Sequence, residues 1–173
     1  MQTNICYITP KSPDRDCYHA FYVKEDDKIE RLSFSNNSIR LLTYEQYQLE
    51  DVDPIDSIHF FNAKKVFKEK LKSIIDIVDS IRNSNGINNK PENCFITFSS
   101  NEIILARSLS DANIKKRVFE GMKIEKNELS MFLQISDNPD PFPDAFKISL
   151  DEFNKINGIY FETLEALDKE LFH

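Results

Sequence analysis

The sequence predicts an α+β domain: a largely antiparallel sheet built from hairpins, packed against one long central helix and two or three shorter helices. Three observations carry this. Residues 62–82 (NAKKVFKEKLKSIIDIVDSIR) place Ala63, Phe67, Leu71, Ile74, Val78 and Ile81 on one helical face. Runs of β-branched and aromatic residues come in pairs across short polar turns, as hairpins do. Helical and strand-like segments do not alternate regularly, which argues against a doubly wound α/β fold. At 173 residues the chain is read as one domain, 1–173.

Residues 4–9 (NICYIT) read as a strand ended by Pro10. Residues 17–24 (CYHAFYVK) and 29–34 (IERLSF) form a hairpin across Glu25, Asp26, Asp27 and Lys28, and residues 39–43 add a short strand. Residues 43–49 suggest one helical turn capped by Thr43, and residues 50–56 (EDVDPID) an acidic loop. Residues 57–61 (SIHFF) read as a short strand or turn feeding the central helix, with Asn62 as its N-cap and Gly86 as its stop. Starting the helix at Asp53-Pro54 is disfavoured, because Ile58 and Phe61 would point away from the stripe. Its charges oppose the macrodipole: Lys64, Lys65, Lys68, Lys70 and Lys72 come first, Asp76 and Asp79 later. Tertiary packing must therefore hold it.

Residues 83–93 are an Asn-rich loop; residues 94–98 (CFITF) and 102–107 (EIILAR) form a second, more apolar and hence central hairpin. Residues 111–121 (DANIKKRVFEG) read as a helix bearing Ile114, Val118 and Met122, with Gly121 near its end. Residues 128–136 and 146–150 read as strands, separated by a Pro-rich loop at 137–143. Ser149-Leu150-Asp151-Glu152 is a capping box opening a short helix that Gly158 closes, and residues 163–172 form a last helix with Leu164, Leu167 and Leu171 inward. No internal repeat is visible.

The chain carries a net charge of −7, three glycines, fourteen phenylalanines and no tryptophan. So few glycines argue against Gly-rich phosphate loops. No apolar run approaches the ~18 residues of a membrane span, and MQTNICYITPKS lacks the pattern of a signal peptide. Cys6, Cys17 and Cys94 are odd in number and unrelated in spacing, which fits reduced thiols in the cytoplasm. Abundant Asn, Ile and Lys suggests an AT-rich bacterial or phage genome.

His19, His59 and His173 have no zinc-helix spacing, and residues 51–56 lack the Gly and Glu of a calcium loop, so no metal or other cofactor is expected. Cys17 or Cys94 could meet His19 or His59 as a thiol–base pair, but small cysteines in strands are usually core residues, and no catalytic set is predicted. Basic clusters at Lys64–Lys72 and at Lys115, Lys116, Arg117, Lys123 and Lys126 run against the overall acidity, so nucleic acid is not the expected partner. The acidic residues gather in loops stiffened by Pro54, Pro139, Pro141 and Pro143: Glu50, Asp51, Asp53 and Asp56, then Asp137, Asp140 and Asp144. The expectation is a small acidic inhibitor of the immunity-protein, antitoxin or phage-inhibitor kind, occluding a basic protein such as a nuclease. The alternatives are a module of a bacterial defence assembly that uses its lysines, and a small enzyme without a recognisable motif.

Overall fold

A computed structural model describes residues 5–84, 93–109, 117–138, 142 and 144–173. The chain divides into two compact units, residues 1–71 with 161–173 and residues 72–160.

The first unit holds β1 (Cys6–Ile8), β2 (Cys17–Val23), β3 (Ile29–Ser35), β4 (Ser38–Tyr44) and β5 (Asp53–Ile55), followed by α1 (Ser57–Asn83) as far as Leu71, and the end of the C-terminal helix from Phe161. The strands form an antiparallel meander in the order β4-β3-β2-β1-β5. Register puts Tyr18, Ala20 and Tyr22 beside Phe34, Leu32 and Glu30 on one face. That face takes the helices: Tyr22 meets Phe60 of α1, and Tyr18 and Phe34 meet Phe172 of the C-terminal helix. The expected stripe of α1 is inward, with Ala63, Phe67, Leu71, Ile74 and Val78 buried and only Ile81 partly covered. Each large side chain so buried contributes on the order of 1.5–3 kcal/mol.

The second unit holds the rest of α1, β6 (Cys94–Phe98), β7 (Ile103–Ser108), β8 (Arg117–Glu125), β9 (Glu128–Ser136) and β10 (Phe146–Ile148), followed by α2 (Leu150–Phe172) as far as Tyr160. Its order is β10-β6-β7-β8-β9, again antiparallel between neighbours. Ile96, Leu105, Met122, Ile124 and Leu129 are buried, and Arg82 of α1 stacks 4.2 Å from the Phe98 ring centroid.

The two units share one topology. A four-stranded meander has its first strand paired also with a three-residue fifth strand, which runs straight into a long helix. Cys6-Tyr7-Ile8-Thr9 opens one and Cys94-Phe95-Ile96-Thr97 the other, with both Cys and Ile buried. Phe60, Ala63, Phe67, Ile74 and Val78 lie at the same intervals as Phe153, Ile156, Tyr160, Leu167 and Leu171, all buried. An internal structural repeat thus exists: beyond the shared Cys-x-Ile-Thr, burial and spacing preserve it.

Several expectations need correction. Among the described residues there are two helices, both long, rather than one long and two or three short. α1 begins at Ser57, so residues 57–61 are helical and Asn62 is internal; its Nδ2 donates to Glu170 at 3.0 Å. The cap is Asp56, whose Oδ1 accepts from Ile58 N at 3.0 Å. Ile58 and Phe61 do point outward, 56% and 42% exposed, while Phe60 supplies the buried contact. α1 ends at Asn83, and Gly86 lies outside the described residues. Residues 43–49 form no helical turn, and residues 53–55 are an edge strand rather than loop. Pro54 is tolerated there because an edge strand needs no second ladder. Residues 117–121, expected helical, are β-strand, and residues 110–116 lie outside the described residues.

The capping box at Ser149 is present: Glu152 N donates to Ser149 Oγ and Ser149 N to Glu152 Oε1. However, α2 runs on through Gly158 to Phe172. Burial of Ile156, Tyr160 and Leu167 outweighs the ~1 kcal/mol cost of one helical glycine. Gly121 is the glycine that sterics demand, since a Cβ there would overlap the Leu105 carbonyl on β7. Gly158 has open space around it. We therefore expect Gly158→Ala to raise stability by about 0.5–1 kcal/mol and Gly121→Ala to lower it by about 1–3 kcal/mol. Urea melts of both variants check this; similar shifts in the same direction would contradict the assignment.

Candidate functional site

The acidic segment of the first unit is built by β5 and the start of α1. Asp51 takes a left-handed backbone at φ 50°, which Asp adopts more readily than most residues. β5 then pairs with β1, Ile55 opposite Cys6 and Asp53 opposite Ile8. Glu50, Asp51, Asp53 and Asp56 are all exposed. Asp56 serves the fold directly, because it caps α1, where the helix dipole favours a carboxylate. Burial and the Asp56 charge together push the Cys6 thiol up to about 11. Glu50, Asp51 and Asp53 have no basic partner among the described residues.

The other acidic group belongs to the second unit. Asp137 follows β9 and Asp144 precedes β10, both exposed, while Asp140 lies outside the described residues. The two groups are thus carried by different units.

Much of the lysine row is occupied internally. Lys64 Nζ stands 2.6 Å from Oε1 of Glu30, a side chain only 7% exposed. Lys24 approaches Oε2 of the same carboxylate at 3.5 Å. Lys65 pairs with Glu69 and Lys70 with Glu162. Lys68 and Lys72 remain exposed, without an acidic partner among the described residues. In the second basic cluster Lys115 and Lys116 lie outside the described residues; Arg117 and Lys123 are on β8 and Lys126 is in the following turn, so these three are not carried by a helix.

The imidazoles of the thiol–base candidates each face another side chain. Cys17 and His19 share one face of β2, but His19 Nδ1 is 2.7 Å from Ser33 Oγ on β3. Burial, then the charges of Arg31 and Arg15, push the His19 imidazole down to about 4. Such an imidazole is a weak base near neutrality, and Ser33 is 5% exposed. Burial also raises the Cys17 thiol, partly opposed by Arg31 and Arg40. Cys94 is buried in β6, and His59 faces Glu170 at 3.3 Å. The Ser33 partner was not evident from spacing: only antiparallel register sets residue 33 opposite residue 19. No group of three or more metal-ligating side chains occurs among the described residues.

No helix of the described residues is long and apolar enough to cross a membrane. No family model matches the chain, and comparison with curated proteins and with solved structures yields no match.

His19 sets a pH dependence. Its folded value, about 4, lies below the ordinary 6.5. The unfolded chain therefore binds the proton first on acidification, and this contribution to stability falls as pH drops from 6.5 towards 4. His19→Asn, which keeps a polar atom near the Nδ1 position, should flatten the melting temperature against pH across that window relative to wild type. Parallel profiles would contradict the burial of a neutral imidazole.

Proposed function

We propose that the protein is a small acidic binding protein that occludes a basic protein partner through the segment carrying Glu50, Asp51 and Asp53. An asymmetry of pairing supports this reading. Three of the five lysines in the 64–72 row are committed to Glu30, Glu69 and Glu162, whereas these three carboxylates of residues 50–53 stand exposed without a cation among the described residues. Unpaired charge on a short edge strand and its loop is available to a partner without breaking an internal contact. Several such charges steer encounter. Asp56, Asp137, Asp140 and Asp144 belong to the same reading as peripheral contributors. Inhibition of a nuclease, in the manner of an immunity protein, antitoxin or phage inhibitor, is its most specific form. Cys6, Cys17 and Cys94, present as thiols rather than disulfides, suit the reducing cytoplasm in which such an inhibitor would act.

Partner captured from the native host tests the proposal, with association rates measured from about 0.05 to 0.5 M salt. The triple variant Glu50→Gln/Asp51→Asn/Asp53→Asn removes the charges, retains the cap at Asp56 and places a left-handed-tolerant Asn at position 51. We expect it to associate about tenfold more slowly at low salt, to lose most of the salt dependence, and to melt as wild type does. An unchanged rate, together with slowing by Lys68→Ala/Lys72→Ala, would transfer the function to the lysines and favour an assembly module.

A further inference from the structure

A cleft of about 310 Å³ opens in the first unit, lined by Asp16, Tyr18, Phe34, Leu164, Glu165 and Asp168 with the Ser35-Asn36 turn. Its floor is aromatic. Tyr18 and Phe34 have ring centroids 5.9 Å apart, and the Phe172 ring meets Tyr18 edge-on at 5.0 Å. The Tyr18 hydroxyl donates to the Ser12 carbonyl at 3.1 Å, which ties the ring down at its far end. Its rim is acidic: Asp16 and Glu165 are exposed and have no cationic partner among the described residues. Asp168 is partly neutralised, by Lys11 at 2.9 Å and by His173 at 3.4 Å when that imidazole is protonated.

Lys11 shows what this wall accepts. Its ammonium lies 5.2 Å from the Phe172 ring centroid while bridging Asp168. A cation between an aromatic face and a carboxylate gains from the ring quadrupole and from the charge together. The cleft lining holds the same two kinds of group, the rings of Tyr18 and Phe34 and the uncommitted carboxylates of Asp16 and Glu165. We propose that it receives a cationic side chain, lysine or arginine, from a basic protein partner. Guanidinium is the better match, because a planar, weakly hydrated cation stacks on rings and can be shared between carboxylates. The inference rests on the reading of the chain as a partner of basic proteins and adds to it an anchoring pocket distinct from the steering loop. Loop carboxylates would set the association rate; the cleft would set the dissociation rate.

The chemistry is testable without the partner. The full-length, isotopically labelled protein is titrated with n-butylguanidinium, n-butylammonium and neutral N-butylurea while backbone amide resonances are followed. Both cations should shift the amides of Ser35, Asn36, Leu164 and Glu165 with dissociation constants on the order of 1–10 mM, weakening as salt rises. Butylurea should leave them in place. Asp16→Asn/Glu165→Gln should weaken cation binding about fivefold or more, and because both positions are exposed the remaining resonances should be unmoved. The wild-type salt series reads the same electrostatics should the variant fold poorly. Cations that shift no cleft amides, or a neutral analogue that binds as well as they do, would overturn the proposal. Such a failure leaves the loop reading standing, and loss of the loop reading leaves the cleft titration unchanged.

Discussion

Glu30 is the constraint on which the first unit turns. It sits in β3 on the face that takes the helices, 6% exposed. A carboxylate placed there is strongly destabilising unless cations meet it. Lys24 reaches it from the end of β2 and Lys64 from α1, so one buried charge joins three elements. Its Oε1 accepts no hydrogen bond, so the 2.6 Å contact with Lys64 acts as an ion pair set off the hydrogen-bond direction. This pair adds to the apolar stripe in locating α1 on the sheet: the buried Ala63 and Phe67 fix the register by volume, and the ion pair ties the helix to β3. It also explains why lysines crowd the first half of a helix whose dipole disfavours them: at least Lys64 is there for a carboxylate beneath.

The same demand shapes the surface. Cations spent on Glu30, Glu69, Glu162 and Asp168 leave the carboxylates of residues 50–53 and the cleft rim uncompensated. A net charge of −7 is therefore not evenly spread but is expressed at particular places. Cap chemistry subtracts one more, since Asp56 is bound to the start of α1.

Features with a local cause were legible in the sequence. The α1 stripe, the hairpins at residues 17–34 and 94–107 and the Ser149 capping box follow from period, turn composition and side-chain reach. What failed had non-local causes. Residues 114, 118 and 122 share a helical interval, yet Val118 and Met122 lie on β8, where Phe119 and Met122 are buried on opposite faces of the strand. Burial on both faces erases the alternation that marks a strand. Gly158 reads as a stop because its helix is secured by packing that propensity does not see. Asp53-Pro54-Ile55 reads as loop because only pairing with β1 makes it a strand. For the site, the acidic residues were visible but their pairing was not. The cleft joins residues 16–36 to residues 164–168, which no spacing rule connects.

A double-mutant cycle between Glu30 and Lys64 tests the central claim most directly. Lys64→Met leaves the buried Glu30 carboxylate with Lys24 alone, at 3.5 Å, and should cost up to about 3–5 kcal/mol in urea-melt stability. Replacing both groups, Glu30→Met with Lys64→Met, should restore most of that loss, giving a coupling of several kcal/mol. If the two substitutions were additive within about 0.5 kcal/mol, the ion pair would not hold α1 to the sheet. The lysine row would then be surface charge like any other.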